Sequence, residues 1–314
     1  MTEYLYEKTD RGIRINACRS YSDSAVVPEE IQGIPVTELA PYAFSGDRRT
    51  IPGGMWTGNA PEGEEPPFLE GERLKNLVLP ATVKKAGAYA FYNCRNWESL
   101  TCYSSFQDIG AGAFTGCRKL SRLDMTMLPE EKRPGLREIL AELPQEVHVT
   151  YRGEQLTKLV FPAYYEDAVE NTPARIVSVQ VHGSGHFYRY CFDGRELQFK
   201  DYDAQFPNLV NMDREELAVE AAVGRLRYPF RLSEEAENGY REFLDSHRKG
   251  AAEWFLKQQD LGGLKWLLGV VDFSDDDLKQ AIEAAGRLRA AEGLAALMEW
   301  KQKKYAPSRK RFEL

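Results

Sequence analysis

An internal repeat in the first half of the chain limits what it can fold into more than any other feature. The segment LKNLVLPATVKKAGAYAFYNC overlays WESLTCYSSFQDIGAGAFTGC without a gap, so Leu77 aligns with Leu100 at a spacing of 23 residues. The same shift matches Val83 to Phe106, Gly87 to Gly110, Phe91 to Phe114 and Cys94 to Cys117, and KLSRLDM carries the phase on to Leu123. A unit this short cannot bury its apolar side chains alone. Copies must stack coil on coil, which predicts a solenoid whose long faces are suited to binding partners.

Upstream, APYAFSGD repeats the AYAF and AGAF pattern. Phe44 lies one residue beyond two periods from Phe91, and Val36, Leu39 and Ala43 match Val83, Ala86 and Ala90. The intervening DRRTIPGGMWTGNAPEGEEPPFLEGE is rich in Gly, Pro and Glu. It reads as a surface loop inserted where one coil would sit, either an unstructured excursion or a partner-binding loop carrying Trp56 and Phe68. Solenoids need sealed ends. Tyr4 to Cys18 alternates around Thr9-Asp10-Arg11-Gly12, which predicts a hairpin cap. Leu136, Ile139, Leu140 and Leu143, spaced i, i+3, i+4, i+7 after Pro134, predict a short helix over the last coil.

The run IPVTELAPYAFSGD followed by LKNLVLPATVKKAGAYAFYNC resembles the BspA-type leucine-rich repeat family over residues 25 to 128. Its coils carry a short strand, a Pro turn, a hydrophobic anchor and a Gly-x-x-Ala-Phe segment ending in Cys. Members of that family serve as adhesins and scaffolds, so the resemblance implies binding without catalysis. Many are secreted, whereas MTEYLYEKTDRGIR has no apolar stretch behind a basic start, which sets the expectation of a cytoplasmic protein.

Alternation along the coil strands separates two sets of side chains. With Leu77, Leu79, Leu100, Cys102, Leu123 and Met125 inward, the outward set is Asn76, Val78, Ser99, Thr101, Tyr103, Arg122 and Asp124. These seven are the candidate partner-binding residues. Tyr103 and Arg122 are of the types that most often anchor interfaces.

From Glu146 to Phe199 the period is lost and EVHVTY, RIVSVQVH and HFYRYCF suggest antiparallel strands, with FPAYYEDAVENTPARI as a connector. With Gly183-Ser184-Gly185 as a tight turn, His182 and His186 become cross-strand neighbours, with Cys191 and Asp193 further along the ribbon. That constellation supports the alternative reading, a metal-binding or hydrolytic middle segment. Two imidazoles supply half of a closed tetrahedral zinc site, and Ser184 lacks the Gly-x-Ser-x-Gly elbow. No catalytic residue, metal or cofactor is therefore assigned. This region resembles one that follows the repeats in cytosolic leucine-rich-repeat proteins of Firmicutes.

After Asp213 the pattern becomes helical. AAEWFLKQQDLGGLKWLL aligns with LKQAIEAAGRLRAAEGLAALM, placing Leu264 on Leu294, Leu267 on Leu297 and Leu268 on Met298 at a spacing of 30. The pattern is similar to ankyrin-type helical hairpins, without a T-P-L-H signature. Trp254, Trp266 and Trp300 are expected in the core. The tail KQKKYAPSRKRFEL has six basic residues in its last fourteen. It reads as a solvated tail or a contact for RNA or an acidic patch.

The expected fold is α+β: a capped leucine-rich solenoid over 1–145, a β-rich middle over 146–212 and a helical segment over 213–314. A net charge of −7 argues against a general nucleic-acid binder, and no apolar run approaches membrane-spanning length. The expected function is an intracellular scaffold or adaptor for a protein partner.

Overall fold

The computed structural model describes residues 2–47, 53–58, 65–131, 134–171 and 176–305, and for 168–171 and 176–179 the backbone alone. Strands β1 (Thr2–Thr9) and β2 (Gly12–Ser20) form the N-terminal hairpin, bulged between Leu5 and Tyr6. Both faces of its middle are buried, over residues 3–6 and 15–18, rather than one face in alternation.

Each of the first three coils contributes a strand to each of two sheets. The first coil holds β3 (Ser24–Val26), β4 (Glu30–Ile31) and β5 (Ile34–Leu39), and β5 runs parallel to β2. After a short β6 (Met55–Trp56) paired with β1, the second coil holds β7 (Asn76–Val78) and β8 (Lys85–Ala86). The third holds β9 (Ser99–Tyr103) and β10 (Asp108–Ile109), and β11 (Arg122–Thr126) opens the fourth. Because β5 pairs directly with β8, Leu39 opposite Ala86, no coil is missing between them. The expectation that the insertion replaces a coil is corrected: the segment leaves the first coil after Gly46 and returns at Leu69. Its described ends lie against the hairpin, where Trp56 and Phe68 hold the Arg19 guanidinium between them at 4.3 and 4.6 Å.

The core repeats the sequence repeat. Phe44, Phe91 and Phe114 are fully buried, with ring centroids 5.8 and 5.3 Å apart along the ladder. Buried Trp97 packs on Phe91 at 4.7 Å and Phe114 at 5.7 Å. The Cys94 and Cys117 thiols donate to the Phe44 and Phe91 carbonyls of the preceding coils. Gly87 and Gly110 mark where backbones nearly touch: a Cβ would sit 2.3 Å from the Pro41 nitrogen and 2.4 Å from the Ala88 nitrogen.

Helix α1 (Leu136–Ala141) buries Leu136, Ile139, Leu140 and the following Leu143, as their spacing predicts. It does not end the solenoid. Strand β12 (Val147–Arg152) adds parallel to β11, and β13 (Leu156–Phe161) adds antiparallel to β12, giving the order β13-β12-β11-β9-β7-β3. The far edge of β13 is occupied at Val160, whose N–H and carbonyl both bond the Tyr202 hydroxyl at 2.8 and 2.9 Å. Strands β14 (Tyr165–Asn171) and β15 (Ile176–His182) form a separate antiparallel pair, so the expected connector is itself a strand. Helix α2 (Gly185–Arg189), the short β16 (Phe192–Asp193) and β17 (Glu196–Leu197), α3 (Phe199–Ala204) and α4 (Phe206–Met212) follow.

The chain divides into two compact units, Met1–Asp213 with Tyr228–Arg231, and Arg214–Arg227 with Leu232–Leu314. The second contains α5 (Glu215–Arg227), α6 (Glu234–Ser246), α7 (Arg248–Gln258), α8 (Leu261–Val270), α9 (Asp275–Arg287) and α10 (Ala291–Tyr305). Ser233 and Asp260 cap α6 and α8, and Ser274 with Asp277 forms a capping box on α9. The 30-residue spacing appears as two matching turns, with Gln259 and Arg289 both left-handed at φ +55. Leu264, Leu267, Leu268 and Leu297 are buried, whereas Met298 is 57% exposed. The three tryptophans are half-buried, which corrects their expected place in the core. The tail beyond Tyr305 lies outside the described residues.

Candidate functional site

The parallel strands stack in register, so repeat positions become rows across the sheet. Asn76 lies opposite Ser24 and Ser99, and Ser99 opposite Arg122, which in turn faces His148. A second row runs Val26, Val78, Thr101, Asp124 and Thr150, and a third joins Tyr103, Thr126 and Arg152. Leu77, Leu100, Cys102, Leu123 and Met125 point into the core, and all seven outward candidates are half-buried or exposed.

Hydrogen bonding divides the candidates. Asn76 donates to Ser24 Oγ at 3.0 Å and accepts from Ser99 Oγ at 2.6 Å, closing a polar ladder. Arg122 pairs with Glu98 at 3.0 Å. Asp124 takes a bidentate pair from Arg152 at 2.8 and 2.7 Å, and that hydrogen-bonded carboxylate raises the Arg152 pKa. At half-exposed positions such a pair stabilises by at most about 1 kcal/mol. Thr101 and Tyr103 have no side-chain hydrogen bond among the described residues, and Val78 lies beside Val26, which is 67% exposed. Sequence reasoning missed Ser24, Glu98 and Arg152. Ser24 and Arg152 stand outside the repeated segments, where no periodic signal marks them; Glu98 lies inside one, but alternation with inward Leu100 gives it the inward phase.

Residues 66–131 match the BspA type leucine rich repeat region. Repeat regions of this type point to protein interaction. A leucine rich cell surface protein from Faecalibacterium prausnitzii A2-165 is 19% identical over 48% of this chain and 30% of its own, with a TM-score of 0.26. A T. pallidum leucine rich repeat protein is 20% identical over 48% of this chain and 61% of its own, with a TM-score of 0.25. The chain thus spans less than two thirds of either. No curated protein matches it.

The middle segment departs from expectation where chemistry was sought. HFYRY is helical: Ser184, Gly185, Tyr188 and Cys191 are buried, a spacing of three to four rather than two. His182 is therefore not across a hairpin from His186. His182 stacks on Tyr165 at 4.5 Å and lies 3.4 Å from Asp167, while His186 lies 3.8 Å from Glu166. His148 pairs with Glu146 at 3.1 Å. Ser184 donates its backbone N–H to Asp213 at 3.1 Å, and its Oγ is buried. Burial, followed by Asp201 and Asp203, pushes the Cys191 thiol up to about 12, away from nucleophilic use at neutral pH. Among the described residues no group of three or more His, Cys, Asp or Glu could hold a metal ion, and no helix is long and apolar enough to cross a membrane.

In the helical unit, a cavity of about 390 Å³ opens beside the two matching turns, with Leu256, Leu261, Leu264 and Leu288 among its apolar lining and Lys257 and Arg289 among its charges. This volume falls within the range of small-ligand sites.

Proposed function

We propose that this chain is an intracellular adaptor that holds a protein partner on the outward face of the long sheet and performs no catalysis. The observation that carries the reading is the in-register stacking of β7, β9 and β11, which sets Val78 beside Thr101 in one row and Tyr103 in the next, bordered by closed polar pairs. Residues without internal partners can contact another molecule with no bond to break first. The helical segment, which we read as ankyrin-like, offers a second surface. Five buried free thiols suit a reducing, cytoplasmic setting. The net charge of −7 disfavours nucleic acid, and the reading needs no cofactor.

Replacing Tyr103 and Arg122 with Ala tests it. The melting curve should stay within about 0.5 kcal/mol of the parent, because both side chains are solvent-facing. Loss of anchor contacts should weaken a co-purifying partner by about 2 kcal/mol or more. An unchanged set of co-purifying proteins, with the fold intact, removes this face as the binding surface.

A further inference from the structure

A different side of the solenoid, where each coil turns through its Ala-Phe segment, carries an unusual backbone. The equivalent residues Tyr42, Tyr89 and Gly112 are all left-handed, at φ +57, +57 and +67. Glycine adopts this conformation without penalty, while a bulky side chain there is strained. One coil has the unstrained residue and two hold tyrosine. Strain that the fold maintains is a reason to ask what the side chains do.

The two rings stack at 5.4 Å with 21° between planes, and they are 38% and 39% exposed. Tyr92 meets Tyr89 edge-on at 5.5 Å and 87°. Gly112 leaves room for this arrangement, since a Cβ there would lie 2.5 Å from Tyr89 Cε1. None of the three phenol hydroxyls has a hydrogen-bond partner among the described residues. The turn segments 40–45, 87–92 and 110–115 contain no charged residue, in a chain that is 28% charged.

We propose that this tyrosine ledge binds a proline-rich segment of a partner protein in the polyproline II conformation. The turn segments contribute no charged side chain, and the Glu142 carboxylate that borders the third is already bonded to the Phe114 N–H and the Thr115 hydroxyl. A polyproline II segment leaves its carbonyls unbonded and its prolines supply no N–H, so it needs donors, which three open phenols provide. The perpendicular Tyr89 and Tyr92 rings give apolar walls for a pyrrolidine ring, and a preformed extended segment has little conformational freedom to lose. This ledge is separate from the outward strip, so either surface can fail without the other.

The test uses the full chain and fluorescently labelled N-acetyl decaproline amide, with cellohexaose as a second probe. Saturable decaproline binding is expected, weakened about tenfold or more, at least 1.4 kcal/mol, in the Tyr42→Gly, Tyr89→Gly double variant. That variant should melt no lower than a few degrees from the parent, because the third coil already has glycine at this position. If it does not fold, the Tyr42→Phe, Tyr89→Phe variant decides: it keeps the rings, removes two donors, and should bind several-fold more weakly. No saturable binding at millimolar peptide, or equal affinity in the deciding variant, overturns the proposal. Binding of cellohexaose in place of decaproline, lost in the glycine variant, also overturns it and assigns the ledge to carbohydrate.

Discussion

Cys102, inward on β9, is fully buried, and that burial, with Asp124 adding to it, pushes its thiol up to about 12. In an unfolded chain the same group titrates near about 8.5. A folded value raised in this way contributes stability that is complete below the unfolded pKa and is lost as pH rises toward the folded one. Melting temperature should therefore decline between about pH 8.5 and 12, less steeply in Cys102→Ala. Iodoacetamide at pH 9 should leave Cys102 and Cys191 unmodified in the native protein; alkylation of Cys102 at the rate of an exposed thiol would contradict its burial. The inward assignment of Cys102 was legible because alternation needs only a strand and one apolar neighbour of known phase. The pairing of Asp124 was not, since Arg152 stands 28 residues on, outside the 23-residue period.

Among the elements, α2 shows where local pattern loses to tertiary context. A string of aromatic residues favours a strand locally, yet Arg189 fixes a helix by donating to the carbonyls of Leu140, Leu143, Gln145, Pro162 and Gly185 at 2.6–3.2 Å. Burial draws its pKa down to about 10, so it remains charged at neutral pH. All of those carbonyls except that of Gly185 are distant in sequence, which is why no window over HFYRY could reveal them. Arg189→Ala should destabilise the first unit by about 3 kcal/mol or more, because several buried acceptors lose their donor together. Arg189→Lys should recover only part of the loss, since a point charge cannot replace the planar fork. Chemical denaturation of both variants checks this; parity of Lys with Arg would mean charge rather than geometry holds the helix. By contrast α6 and α9 start at Ser233 and Ser274, each followed by acids, a local signal because caps act within one turn.

At the scale of the whole chain, the solenoid and the helical unit distribute stability differently. Coils contact only their neighbours, so a ladder position in the middle carries more than one at an end. Phe91 touches Phe44, Phe114 and Trp97, whereas Phe114 meets Phe91 and Trp97. Phe91→Ala should cost about 3–5 kcal/mol, at least as much as Phe114→Ala. Phe44→Ala or Phe114→Ala combined with Phe91→Ala should depart from additivity, because each of those pairs is in direct contact. Hydrogen exchange adds a spatial readout. The chain divides into two compact units, and separate units open with separate free energies. In Phe91→Ala, amide protection should fall across β7, β9 and β11 while that of α7 to α10 stays at the parent level. Equal loss of protection in both units would show that they unfold as one cooperative body.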